Sequence, residues 1–156
     1  MRRAEPIRPA AGRPARAALS LALAGMLAGC VSPAWDDHDY GLKAGASAEA
    51  VASTVAIAGD AVAGQDRLTT PYLKVLLTEA VTDVRSVDGQ FAGVQPPSDA
   101  AEQIKKDLLD MTGKAEDELD ELLTQLRRDG IRDPAGAVRD LRALGEDLQR
   151  FGEAHK

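Results

Sequence analysis

The residues able to do chemistry are few and sit in three places. Cys30 is the one thiol in the 156-residue chain, and it closes the apolar stretch "LSLALAGMLAGC" at residues 19–30. A sulfur nucleophile there is a natural site for thioether formation. The run Asp36-Asp37-His38-Asp39, flanked by Trp35 and Tyr40, offers four hard or borderline metal ligands in a row. Adjacent residues of an extended chain point alternately outward and do not converge, so no metal is expected there. Glu116, Asp117, Glu118, Asp120 and Glu121 place five acids within six positions. On a helix, Glu116 with Asp120 and Asp117 with Glu121 share faces, where like charges repel by a few tenths of a kcal/mol. This run reads as a solvated face, as a docking patch for a basic partner, or as a weak calcium site.

Catalysis is poorly provided for. The chain has no His-x-x-x-His, no glycine-rich phosphate loop and no spaced cysteine pair. Nothing in the pattern sets two carboxylates in a dry pocket with separated pKa values. The expectation is a non-enzymatic protein with no catalytic residue and no cofactor. His155 lies next to the C-terminus and is assigned to a disordered tail.

The N-terminus carries an address. Arg2, Arg3, Arg8, Arg13 and Arg16 face a single acid, Glu5, and the run Ala17–Ala28 that follows is apolar except for Ser20. That is the order of an export signal. Twelve residues are too few to cross a bilayer core of about 30 Å, which needs roughly 20 in a helix. The exit, Leu27-Ala28-Gly29-Cys30, resembles the lipobox of bacterial lipoproteins at all four positions. The resemblance implies a diacylglyceryl group on the Cys30 thiol, cleavage before Cys30, and removal of residues 1–29 as a signal peptide. Two acyl chains, often joined by a third such as palmitate on the new amino terminus, suffice for stable anchoring. An ordinary secretory signal in which Cys30 is incidental is the competing reading. Val31 and Ser32 lack the aspartate that commonly retains lipoproteins at the inner membrane, so a two-membrane host would deliver the protein to its outer membrane. The Ala-, Gly- and Arg-rich remainder is loosely similar to short helical lipoproteins of unknown role from GC-rich bacteria, a likeness that carries no site residues.

Once the leader is subtracted, fourteen Lys and Arg remain against twenty-four Asp and Glu, a net charge of −10. Such a body repels phosphate backbones, which argues against nucleic acid as a partner. It also repels anionic headgroups. Cations and basic protein surfaces are the electrostatic partners left.

The elements that must position these residues all carry helical periodicity. Ala44, Ala48, Val51, Val55, Ala58 and Val62 form one stripe. Leu73, Leu77, Ala80, Val84, Val87 and Phe91 form a second. Ile104, Leu108, Met111, Ala115, Leu119, Leu122 and Leu126 form a third, and Val138, Leu141, Leu144 or Gly145, Leu148 and Phe151 a fourth. Thr70-Pro71, Asp99 with Glu102, and Asp133-Pro134 mark helix starts. Gly64 and Gly130 stand where left-handed C-terminal caps are wanted. Helices are predicted at about 47–63, 70–93, 99–129 and 133–153.

The expected architecture is all-α: an antiparallel up-down-up-down four-helix bundle over 47–153, behind a lipidated cysteine and flexible tether at 30–46, with a tail at 154–156. Trp35 or Tyr40 is expected to dock on the bundle end. The third helix, longer than its partners, must bend near Thr112-Gly113 or project. The expected function is that of a lipid-anchored extracytoplasmic module working through protein contacts at the bacterial cell envelope. A homodimer is compatible with the stripes, and a small-ligand or cation-binding accessory or sensor lipoprotein is the alternative.

Overall fold

The computed structural model describes residues 34–156. They form an all-α, antiparallel up-down-up-down four-helix bundle: α1 (Asp37–Ala63), α2 (Thr70–Ala92), α3 (Asp99–Arg128) and α4 (Pro134–Ala154), with a short 3-10 turn at Gln65–Arg67 after α1. Three contacts display the helix directions. Ser98, at the start of α3, donates its hydroxyl to Asp37 at the start of α1 (2.7 Å). Thr112 in mid-α3 bonds Asp88 late in α2. Lys156, just past α4, pairs with Glu49 early in α1 (2.8 Å).

The predicted stripes make the core. Every residue of the first is buried, as are Leu73, Leu77, Ala80, Val84 and Phe91 of the second. Leu108, Ala115, Leu119, Leu122 and Leu126 are buried from the third, and Leu141 and Leu148 from the fourth. At the open position of that last stripe it is Gly145 that is buried, with Leu144 beside the core.

The first helix begins ten residues before its predicted start at 47. Residues 37–46, assigned to the tether, are helical because Asp36 caps α1: its carboxylate accepts the Asp39 N–H at 2.8 Å. Tyr40, in the first turn, is fully buried and its ring lies 5.2 Å from that of Phe91. Trp35 does not dock; it is 85% exposed. At the other terminus, α4 continues through Ala154, and the His155 ring stacks on Phe151 at 4.2 Å, so the expected disordered tail is instead packed.

With α1 at 27 residues, the length conflict posed by the 30-residue α3 largely disappears. Helix α3 runs unbroken through Thr112-Gly113.

Three boundary readings change in detail. Ser98, one residue before Asp99, caps α3 by accepting the Ala101 N–H, and Thr69 precedes α2 with no side-chain cap bond. Gly130 has φ 97° and takes the left-handed position after α3, with Ile131 buried behind it. Gly64 does not: its φ is −93°, because the chain winds directly on into the 3-10 turn, where Arg67 N–H donates to the Gly64 carbonyl. Asp133 caps α4 by accepting the Gly136 N–H at 2.9 Å, with Pro134 at the first position as predicted.

Helix α1 packs on all three other helices, most extensively on α4. Small residues make that approach possible. A Cβ on Gly45 would stand 3.0 Å from the Gly152 carbonyl oxygen, and one on Gly152 would stand 3.2 Å from the Gly45 carbonyl oxygen. Among the described residues, α1 is also the helix long and apolar enough, by length and composition, to cross a membrane; core helices pass the same criterion, and 44% of its apolar window is buried in the bundle.

Candidate functional site

Leu27, Ala28, Gly29 and Cys30, the lipobox residues, lie outside the described residues. The two acidic runs are within them, and the fold gives each a definite role.

Asp36, Asp37 and Asp39 are divided among three tasks at the start of α1. Asp36 caps the helix, and Asp37 accepts from Ser98. Asp39 accepts the Trp35 N–H and pairs with Lys43 at 3.1 Å. The Lys43 hydrogen bond, joined by that from the Trp35 backbone, holds the Asp39 carboxyl below its usual range. This triad of acids also suits the positive end of the helix dipole.

The acidic run on α3 is not one patch. Arg85 of α2 reaches across with two arms, Nε to Glu116 and one terminal nitrogen to Asp120, each at 2.6 Å. This clasp raises the guanidinium pKa further, chiefly through the hydrogen bond to Glu116. Glu121 belongs to the opposite side, where Arg132 pairs with it at 3.1 Å and Gln125 donates to it at 3.0 Å. Glu118 is half-buried against α4; burial first, then the charges of Asp140 and Glu121, push its pKa up. Asp117 is exposed. Four of the five acids therefore split between the α2 and α4 sides of α3, and Asp117 lies in solvent. Only the spacing was legible in sequence; the positions of Arg85 and Arg132 depend on the helix pairing.

Two buried polar groups were not among the sequence candidates for a site. Thr112, which entered the sequence reading only as a point where the third helix could bend, is almost completely buried and donates its hydroxyl to Asp88 at 2.5 Å, tying α3 to α2. The Tyr40 hydroxyl is buried and has no hydrogen-bond partner among the described residues. Burial, with the nearby Glu102 charge, pushes its pKa up to about 12.

A groove of about 290 Å³ runs between α1 and α4. Ala52, Val55, Ala56 and Gly59 floor it from one side and Val138, Leu141 and Gly145 from the other, with Asp60, Arg142, Glu146 and Gln149 at its polar rim. It exists because small residues on both helices leave the seam unfilled toward solvent. Its size is at the lower end for small-molecule sites. No group of three or more His, Cys, Asp or Glu able to hold a metal ion occurs among the described residues. Comparison with protein-family models, curated proteins and solved structures finds no match for this chain.

Proposed function

We propose that the protein is a non-enzymatic, lipid-anchored helical module on the extracytoplasmic face of a bacterial membrane, acting through contacts with other proteins. The observation that carries this reading is Leu27-Ala28-Gly29-Cys30 at the exit of the apolar run, with Cys30 the chain's single thiol. The bundle supports it. Acids of its two runs cap α1 or pair with Arg85 and Arg132, and its core is aliphatic. Lipid on Cys30 would hold the acidic body near the surface, where the raised effective concentration lets weak protein contacts suffice.

The test is metabolic labelling with a fatty acid followed by fractionation. Wild type should incorporate label and sediment with membranes. Cys30→Ser should lose the label and either accumulate as uncleaved precursor or leave the membrane fraction. A Cys30→Ser protein that is processed and anchored like wild type would overturn the reading. Crosslinking in intact cells then identifies the proteins in contact.

The groove between α1 and α4 favours a second reading, that of a small-ligand or cation-binding accessory lipoprotein. Its apolar floor and charged rim suit a small amphiphile. A thermal shift with such compounds or with divalent cations, abolished by Gly145→Leu, would favour it over the first.

A further inference from the structure

Charge in this bundle is divided by end. Where α1 and α3 finish and α2 and α4 begin, residues 60–74 and 125–139 hold six bases, Arg67, Lys74, Arg127, Arg128, Arg132 and Arg139, against four acids, Asp60, Asp66, Asp129 and Asp133. That end carries a net +2. The other described residues hold eight Lys and Arg against twenty Asp and Glu, a net −12.

Most of this positive charge is unengaged. Asp133 accepts the Gly136 N–H, and Arg132 pairs with Glu121. Among the described residues, Arg67, Lys74, Arg127 and Arg128 are exposed and make no ion pair and no side-chain hydrogen bond, whereas Arg85, Lys114 and Lys156 each hold an acid. Folding accounts for only two of the four. Arg127 and Arg128 suit the negative end of the α3 dipole. Arg67 and Lys74 flank the start of α2, a positive end that favours acids, and its first turn holds none.

A cleft of about 360 Å³ lies among these bases, between the start of α2 and the end of α3. Leu68, Leu73 and Leu126 floor it, and Thr70, Arg128 and Asp129 stand around it. Each of the three leucines has a base beside it in sequence: Arg67, Lys74 and Arg127. Leu73 and Leu126 are only 2% and 9% exposed, so the floor is recessed and open to an inserted side chain rather than to a flat surface. Beyond the cleft on α2, Tyr72 and Val75 are both more than half exposed.

We propose that this end docks an acidic segment of another protein, with an apolar side chain of that segment in the leucine-floored cleft and its flanking carboxylates on Arg67, Lys74, Arg127 and Arg128. The inference deepens the protein-contact reading and rests on it, but not on lipidation of Cys30. Net charge alone points to a basic partner; at this end the sign reverses.

Charge complementarity selects the chemistry. At physiological salt, charges are screened beyond about 8 Å, so a segment at this end meets the local +2 and little of the −12, while the rest of the body repels it. Carboxylates pair with arginine through short, charge-assisted hydrogen bonds. A long polyanion such as nucleic acid would overrun the end and meet the acidic flanks. An anionic bilayer would press its headgroups on Asp66 and Asp129 as well as on the bases, and its plane would leave the recessed floor unfilled. A protein segment sets its carboxylates down singly and brings its own apolar side chain.

The experiment uses the full chain in non-ionic detergent, carrying Cys30→Ser and Val75→Cys so that a bimane fluorophore reports from α2 beside Lys74. The probe is an acetylated peptide with one leucine flanked by glutamates, and its control has glutamines in their place. The glutamate peptide should shift the bimane emission, and the control should not. Lys74→Glu combined with Arg128→Glu should weaken the probe about tenfold or more, with far-UV circular dichroism unchanged. These reversals leave the leader's arginines untouched, so the difference reads this end alone. Raising salt from about 0.01 M to 0.15 M should also weaken binding. An unmoved label, equal shifts by the two peptides, or binding indifferent to the reversals would overturn the proposal. A shift caused by phosphatidylglycerol vesicles without peptide would assign the end to lipid and overturn it. A shift that appears on concentrating the protein alone would assign it to a second copy, with the same consequence. In intact cells, a photocrosslinker at Val75 should capture an acidic segment. Proteins captured from Asp117 but none from Val75 would overturn this inference and leave the protein-contact reading standing; capture from neither position would overturn both.

Discussion

Single glycines in this bundle do opposite work depending on what stands beside them. At Gly45 an added methyl would press on the Gly152 carbonyl oxygen at 3.0 Å, and on the His155 carbonyl oxygen at 3.3 Å. Helix backbones cannot give way cheaply there, so Gly45→Ala should destabilise by about 1–3 kcal/mol despite alanine's better helix propensity. At Gly113 an added methyl meets nothing within 4 Å. Gly113→Ala should therefore stabilise by up to about 1 kcal/mol. Urea unfolding of the two variants beside wild type checks both signs. Glu118 carries a different kind of cost. Burial and the charges of Asp140 and Glu121 raise its pKa in the folded protein, so folding favours its protonated form. The sign follows: stability falls as pH rises from the ordinary carboxylate range through the raised folded-state value. Glu118→Gln should raise the melting temperature at pH 7, and the difference should close as pH approaches about 4. A constant difference across that range would deny the shift.

Among the elements, α1 depends most on its cap. Its first turns hold Tyr40 in the core and join α3 through Asp37 and Ser98, and Asp36 starts them by accepting the Asp39 N–H. Asp36→Ala should cost about 0.5–2 kcal/mol and fray the helix toward Ala44, which amide hydrogen exchange would locate. This is also where the sequence was hardest to read. Helices α2, α3 and α4 were legible to within a residue or two because proline, serine, aspartate and left-handed Gly130 punctuate them and their stripes are leucine-rich. The start of α1 was not, because Pro33, Gly41 and the polar run at residues 35–40 carry no helical period, and glycines such as Gly41 and Gly45 are poor helix formers by themselves. In the fold they are contact residues: a Cβ at either would approach His155, and that at Gly45 the Gly152 backbone as well. The value of such glycines appears only when α4 is in place. The same holds for the acidic run of α3. Its spacing was plain, but its division between the α2 and α4 sides depends on Arg85 and Arg132, which lie 31 and 11 residues from their partners.

For the whole molecule the controlling quantity is charge. A net −10 over residues 34–156 means that repulsion among acids on different helices opposes compaction. Against it stand inter-element ion pairs such as Arg85 with Glu116 and Asp120 at 2.6 Å, and Lys156 with Glu49 at 2.8 Å. Salt weakens both, but unequally. The pairs act at contact distance, while the diffuse repulsion acts over separations comparable to the Debye length, which falls from about 30 Å at 0.01 M to about 8 Å at 0.15 M. Exposed pairs are also individually weak. Repulsion is therefore lost faster than attraction, and raising sodium chloride across that range should raise the melting temperature by a few degrees, a gain on the order of 1 kcal/mol. Arg85→Gln should melt lower and depend on salt more steeply, since Glu116 and Asp120 then face each other without their common cation. A chelator should leave the melting temperature unchanged at either salt concentration, because the acids are held by arginine, lysine and helix termini. A melting temperature that falls with salt, or one that drops on chelation at constant ionic strength, would show that specific ion binding and not general screening governs this surface.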